Sequence, residues 1–188
     1  MRIIGGTAKG RRLASFRGMS IRPTTDKVRE AIFNILPRLF AFKNVLDLFA
    51  GTGAIGIEAL SRGAATATFV DSEPKAVKII KKNLDVCGFI DKAAILAKDV
   101  ESALNMLSKK GEKFDLIFID PPYNTSLMGI ALNHIGNKGL LAADGLIVVE
   151  SSKRMIWDGE LKGIELTDRR RYGDTVVSFY KTGNRQNP

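Results

Sequence analysis

Four short apolar runs in this chain each end in or beside an aspartate, and helical patterns lie between them. The runs are Asn44-Val45-Leu46-Asp47-Leu48-Phe49, Ala67-Thr68-Phe69-Val70 ending in Asp71, Ala93-Ala94-Ile95-Leu96-Ala97 leading to Asp99, and Leu116-Ile117-Phe118-Ile119 ending in Asp120. Runs of this length, bounded by turn signals, read as buried strands. Strands that alternate with helices form βαβ units, and these build a parallel sheet. A parallel sheet gathers the carboxyl ends of its strands along one edge, where open α/β sheets bind ligands. One acid at a strand end is usually a turn residue or a helix cap. Four in series mark a site.

The segments between them carry helical signals. Thr24 or Thr25 caps a helix running to about Leu36, with Val28, Ile32, Ile35 and Leu39 as its apolar stripe and Pro37 limiting it. Ser72 caps a helix with Pro74 near its first position and Gly88 at its end, and Val77, Ile80, Leu84 and Cys87 form its buried face. Lys75, Lys78, Lys81 and Lys82 then form its solvated side. Residues 100–109 and 127–137 read as two further helices. Leu146 to Glu150 is a fifth parallel strand. Two closing strands, Gly163 to Thr167 and Thr175 to Tyr180, have no room for a helix between them and so form an antiparallel pair. With 188 residues, 45% of them hydrophobic, one α/β domain over 1–188 is expected. Within it, 1–23 form a basic extension of short strands, 24–182 the core and 183–188 a flexible tail.

After the first run comes Ala50-Gly51-Thr52-Gly53-Ala54-Ile55-Gly56. The glycines let the backbone approach a ligand closely. They match GxGxxG, a weak pattern that also suits a dinucleotide. Asp47, four residues before Gly51, suits a cationic amino group better than a pyrophosphate. Asp71 lies 20 residues after Gly51, where an acid commonly holds ribose hydroxyls, and Glu73 is a near alternative. Asp99 is placed to accept from an adenine amino group. The set describes a pocket for an adenosine with a cationic amino acid tail, a description that S-adenosylmethionine (SAM) fits.

Asp120-Pro121-Pro122-Tyr123 is the most unusual stretch. Pro122 lacks an N–H, and the prolines push Asp120 and Pro121 toward extended or turn geometry, so the chain leaves the sheet along a rigid path. That path clamps a planar amino group: Asp120 and the Pro121 carbonyl accept its hydrogens, and the Tyr123 ring stacks on its base.

These residues resemble a class I SAM-dependent methyltransferase and, more closely, the RsmD family, bacterial methyltransferases acting on the exocyclic N2 of a guanine in 16S ribosomal RNA. The resemblance covers nearly the whole chain. It includes Arg2-Ile3-Ile4-Gly5-Gly6, the segment Arg22-Pro23-Thr24-Thr25-Asp26-Lys27-Val28-Arg29-Glu30-Ala31-Ile32-Phe33-Asn34-Ile35-Leu36, Asp47 to Gly53, Glu58 to Ala64, and Asp120 to Tyr123. Lys27 stands where arginine is frequent in the family, which keeps the charge but not the fork geometry. The resemblance implies a Rossmann-like, seven-stranded, mostly parallel sheet with an antiparallel last strand and helices on both faces. It also implies catalysis by Asp120, Pro121, Pro122 and Tyr123. SAM would lie over Asp47, Phe49, Ala50, Gly51, Thr52 and Gly53, with Asp71 and Ser72 at the ribose and Asp99 and Val100 at the adenine. Thr24 and Arg29 are further candidates for the cofactor or the RNA. Glu30 and Phe33 are candidates for structural support.

The charge is uneven. Residues 1–43 carry ten Lys and Arg against two acids, while residues 44–188 carry nineteen against eighteen, so nearly all of the net +9 lies in the first quarter. Such asymmetry points to a polyanionic partner. Lys9, Arg11, Arg12, Arg17 and Arg22, with Arg170 and Arg171 beside Tyr172 as a second patch, are the expected RNA contacts. The expected partner is 16S rRNA or the small ribosomal subunit. A DNA amino-methyltransferase needs an added recognition region, for which there is little room. A protein-glutamine methyltransferase typically has asparagine where this chain has Asp120. No apolar run reaches 18 residues, and the N-terminus is too interrupted for a signal peptide, so no membrane partner and a cytoplasmic location are expected. Cys87 is the only cysteine and His134 the only histidine, which argues against a zinc site. Cys87 reads as a core residue and His134 as a helix packing or surface residue. Nothing requires more than a monomer.

Overall fold

The computed structural model describes residues 1–16, 26–36, 42–122, 125–155, 157–159 and 161–183. Thr24, Thr25, Pro37 and Leu39 of the first helix, and 184–188 of the expected tail, lie outside them.

In chain order the elements are α1 (Asp26–Ile35), β1 (Asn44–Leu48), α2 (Ala54–Ser61), β2 (Thr66–Val70), α3 (Pro74–Cys87), β3 (Ala93–Leu96), α4 (Val100–Lys109), β4 (Phe114–Ile119), α5 (Thr125–Lys138), β5 (Leu141–Ser152), β6 (Ile164–Tyr172) and β7 (Thr175–Thr182). A one-turn 3-10 helix, Ile90–Lys92, precedes β3. The seven strands form one sheet in the order β3-β2-β1-β4-β5-β7-β6. β1 to β5 pair in parallel, while β7 runs antiparallel to both neighbours. The seven-stranded, mostly parallel sheet implied by the resemblance is therefore present. β5 is longer than expected, starting at Leu141 rather than Leu146.

Strand alternation divides the core into two layers. Val45, Phe69, Leu116, Phe118 and Val148 pack beneath α1, α2, α3 and the N-terminal segment. Leu46, Leu48, Ile117, Ile119, Ile147 and Val149 pack beneath α4 and α5. β1 and β4, in the middle of the sheet, are covered on both sides, which is why their runs are nearly continuous in apolar residues, while the edge strand β3 is only partly buried.

The caps follow local chemistry. Gly88 ends α3 with φ 74°, the left-handed conformation that glycine adopts without cost. Glu73, not Ser72, is the N-cap of α3, its carboxylate accepting from the Lys75 N–H at 3.4 Å. Pro74 fixes this: a proline at the first helical position puts the cap on the residue before it. Cys87 is buried as expected, and Lys75, Lys78, Lys81 and Lys82 are exposed. Val77 is only half-buried, its expected place in the α3 core being shared by Ala76 and Asn83.

The N-terminal segment is locked onto α2 and α3. Arg2 and Arg12 form an antiparallel bridge, which lays residues 1–13 out as a narrow loop. Glu58, fully buried in α2, accepts from the Ile4 and Gly5 N–H groups, both at 2.8 Å, and from Arg62 Nε at 2.7 Å. Ser61 Oγ donates to the Gly5 carbonyl and accepts from the Ala8 N–H. Buried polar groups are satisfied in this way because leaving them unpaired costs roughly 1–3 kcal/mol each.

Candidate functional site

The chain order of the sheet reverses at β1, which pairs with β2 on one side and β4 on the other. A cleft opens outside the carboxyl ends of the strands at this reversal, as expected for an open α/β sheet. Its volume is about 940 Å³. Asp47, Phe49, Ala50, Gly51, Thr52, Asp71, Ser72, Asp99, Val100, Asp120, Pro121 and Pro122 all line it. Residues from four strand ends, far apart in sequence, thus meet around one space.

The turn after β1 is built on positive φ angles: Phe49 at 62°, Gly51 at 55° and Gly53 at 73°. Phe49 is the only non-glycine among the described residues in this region, where a side chain other than glycine is strained. The turn is held by its neighbours. The Ala50 N–H donates to the Val70 carbonyl, and the Gly51 N–H donates to Asp71 Oδ2 at 2.8 Å. The other Asp71 oxygen accepts from the Glu73 N–H at 2.8 Å. Asp71 therefore braces the glycine turn and the start of α3 while facing the cleft. Gly53 caps α2 from behind the turn: a Cβ there would touch Ile80 and Ile57 rather than a ligand. Gly56 is required for close packing, since a Cβ would lie 2.3 Å from the Phe69 ring.

Asp47 is 3% exposed. Its Oδ2 accepts from the Gly56 N–H at 3.0 Å. Burial pushes its pKa up to about 7; the Gly56 N–H acts against this, and the neighbouring Asp71 carboxylate adds to it. Asp99 behaves oppositely. It is exposed and caps α4 by accepting from the Ser102 N–H at 2.8 Å, and hydrogen bonds from Ser102 hold its carboxyl below the ordinary range. Asp120 and Pro121 are half-buried and Pro122 is exposed. Tyr123 and Thr24 lie outside the described residues.

Arg29 is not a cleft residue. It is 0% exposed, donates to the Arg2 carbonyl, and lies with its Nε 3.8 Å from Glu58 Oε2. The expected stripe of α1 is correspondingly rotated: Val28, Arg29, Ile32, Phe33 and Leu36 face inward, and Ile35 is only half-buried. Phe33 supports the fold, as expected, packing on Phe118 with Arg62 above its ring at 4.8 Å, while Glu30 is exposed.

Among the expected RNA contacts, Lys9, Arg11 and Arg12 are exposed on the N-terminal segment, and Arg11 donates to the Val86 carbonyl. Arg17 and Arg22 lie outside the described residues. Arg170 and Arg171 are on the edge strand β6, but Arg170 Nε is bound to Asp168 at 2.8 Å and Arg171 Nε to the Gly173 carbonyl at 2.8 Å. The second patch is therefore less positive than the sequence suggested. His134 is partly exposed on α5, 3.8 Å from Glu101. Among the described residues no group of three or more His, Cys, Asp or Glu is arranged to hold a metal, and no helix is long and apolar enough to cross a membrane.

Sequence reading missed two walls. Met1, Ser15 and Phe16 bring the basic segment into the cleft, and Glu150, Ser151, Ser152, Met155, Asp174 and Thr175 close its far end. The second wall did carry a signal: Leu146 to Glu150 is a fifth apolar run ending in an acid. The first carried none, because it depends on Asn83, a buried residue of α3. Asn83 exchanges hydrogen bonds with the Ala14 backbone at 2.8 and 3.1 Å and donates to the Thr52 carbonyl at 2.8 Å.

A sequence profile described as "Conserved hypothetical protein 95" matches residues 1–181. YlbH of Bacillus subtilis (strain 168), named a putative rRNA methyltransferase, is 40% identical over 181 residues, 96% of this chain and 98% of that protein. "Ribosomal RNA small subunit methyltransferase D" of Escherichia coli (strain K12) is 39% identical over 151 residues, covering 80% of this chain and 74% of its own length. Among solved structures, yhhF from Escherichia coli, named a putative methyltransferase, superposes with a TM-score of 0.83 at 32% identity, covering 97% of each chain. A hypothetical protein from Thermus thermophilus superposes with a TM-score of 0.82 at 32% identity, covering 97% of this chain and 99% of that one.

Proposed function

Because the chain belongs to the RsmD family of ribosomal RNA methyltransferases and has their class I fold, we propose that it transfers a methyl group from SAM to the exocyclic N2 of a guanine in 16S rRNA. The observation that carries this reading is the meeting of Asp120-Pro121-Pro122 with the glycine turn and three further strand-end acids in one cleft.

The cleft suits SAM. Asp47 is a buried carboxylate whose charged form is disfavoured by its surroundings. An ammonium group at the amino acid end of SAM would supply the missing counter-charge. The positive-φ turn from Phe49 to Gly53 lets the ligand lie against backbone, with Ala50, Gly51 and Thr52 in contact. Asp71 and Ser72 are placed for the ribose, and Asp99 and Val100 for the adenine. Both Asp71 oxygens already accept backbone N–H groups, which pre-orients the carboxylate, and each retains capacity for a ribose hydroxyl.

When bound, SAM supplies an electrophilic methyl on a sulfonium. The protein's part is alignment. Asp120 and the Pro121 carbonyl hold the amino hydrogens, so that the nitrogen lone pair faces the methyl carbon. A nitrogen–carbon bond forms, the carbon–sulfur bond breaks with its electron pair going to sulfur, and the nitrogen loses a proton to solvent. Holding both reactants in line supplies most of the acceleration. The target base must be unstacked to reach the cleft. The cations of the N-terminal segment would grip phosphates beside it.

The test is transfer of labelled methyl from SAM to small ribosomal subunits lacking the modification, with naked rRNA, duplex DNA and total protein as parallel acceptors. Label is expected in 16S rRNA, recovered as N2-methylguanine. Label confined to DNA or protein would overturn the substrate. Asp120→Ala is expected to abolish transfer while changing SAM affinity less than about threefold; an active Asp120→Ala variant would refute its role.

A further inference from the structure

We propose that Glu150 is the carboxylate that selects guanine, accepting the N1–H of the base while Asp120 accepts from the amino group next to it. The inference rests on the reading of the site as a guanine-N2 methyltransferase and adds how the base is chosen.

β4 and β5 are parallel neighbours, with Ile119 opposite Val149. Asp120 and Glu150 are the next residue of each chain, Asp120 just past the end of β4 and Glu150 within β5, so the register carried on by one residue sets them side by side at the carboxyl end of the sheet, where neighbouring strands lie about 5 Å apart. Two residues back, Phe118 and Val148 enter the same core layer. The same alternation carried one residue past β4 sets Asp120 on the side of the sheet that Glu150 faces. Both line the cleft and both are half-buried. Glu150 is held firmly, because its strand continues to Ser152 and pairs on its other edge with β7, Glu150 lying opposite Val177.

Two adjacent acceptors match one nucleobase edge. Guanine presents its N2 amino group and its N1–H side by side, both donors. Adenine and cytosine each present an amino group beside a ring nitrogen that is itself an acceptor. A carboxylate facing that lone pair gains no hydrogen bond from the base, which is costly in a partly buried site. The clamp of Asp120 and Pro121 can hold the amino group of any of the three bases. The neighbouring carboxylate tells them apart.

The experiment uses full-length protein and small subunits reconstituted with 16S rRNA carrying either guanine or 2-aminopurine at the nucleotide that the wild type methylates. 2-Aminopurine keeps the amino group but has an acceptor at N1. Wild type is expected to prefer guanine by about a hundredfold in kcat/KM. Glu150→Gln is expected to lose at least about tenfold on guanine and to gain on 2-aminopurine, because its amide can donate to N1, while still binding SAM. An unchanged guanine to 2-aminopurine ratio in Glu150→Gln overturns the proposal and leaves the methyltransferase reading intact. Should Glu150→Gln not bind SAM, the wild type decides alone: equal transfer to both bases overturns the proposal. No transfer to guanine in wild type overturns both readings.

Discussion

At the scale of single residues, the site is made of acids whose environments set them apart. Asp47 and Asp99 lie in one cleft, yet burial raises the first and hydrogen bonds from Ser102 lower the second. The Asp47 shift has a consequence for stability. Its folded pKa of about 7 lies above the ordinary 3.8, so between those values the folded state binds more protons than the unfolded state. Stability of the ligand-free protein therefore falls as pH rises through that window, and the cost is fully present above it. Asp47→Asn keeps an acceptor for the Gly56 N–H and removes the charge. It is expected to flatten the fall between about pH 4 and 7 and to make the ligand-free protein more stable at about pH 8, by on the order of 1–3 kcal/mol, while weakening SAM binding. Urea unfolding across that pH range, with and without SAM, checks both.

At the scale of elements, α2 is the hub. It carries the glycine turn at one end and grips the N-terminal segment through Glu58 and Ser61. Glu58→Ala would strand the Ile4 and Gly5 N–H groups and remove the anion beside buried Arg29. A loss of about 3–5 kcal/mol in unfolding free energy is expected by chemical denaturation, a scale set by breaking a buried ion pair. α3 contributes Asn83, which joins the Ala14 backbone to the Thr52 carbonyl. Asn83→Ala is expected to weaken SAM binding roughly tenfold and RNA binding by a similar factor, since one side chain positions both a cofactor turn and the basic segment. Unchanged SAM affinity by calorimetry would show that the turn does not need this tie.

At the scale of the whole molecule, charge and cleft are arranged together. The segment holding Lys9, Arg11 and Arg12 also supplies Met1, Ser15 and Phe16 to the cleft wall, so one stretch of chain carries both exposed cations and part of the site. Replacing Lys9, Arg11 and Arg12 together by Ala is expected to weaken RNA binding and to lower the slope of log affinity against log salt by roughly two to three. SAM affinity should stay within about twofold, because the arm is held to α2 and α3 by Glu58, Ser61 and Asn83. Fluorescence anisotropy over a salt series measures this. An unchanged slope would place the RNA elsewhere, with the β6 arginines poor replacements given the bonds of Arg170 and Arg171 to Asp168 and Gly173.

The sequence by itself determined the layered α/β fold, the order of the core elements and four of the acids of the cleft, Asp47, Asp71, Asp99 and Asp120. Those depend on local properties: apolar runs long enough for a buried strand, glycines where φ must be positive, and prolines that stiffen the exit from β4. Helix caps were nearly as legible, and Ser72 was misread only because the cap belongs to the residue immediately before Pro74. Arg29 was read wrongly for a deeper reason. A charged residue reads as exposed or functional until its buried counter-ion is known, and Glu58 lies on a different helix, far along the chain. Glu150 ended an apolar run like the other acids, but its place beside Asp120 is a matter of which strands are neighbours. That choice, like the tie from Asn83 to Thr52, rests on contacts between distant segments that local preference does not encode, and only the tertiary structure decided it.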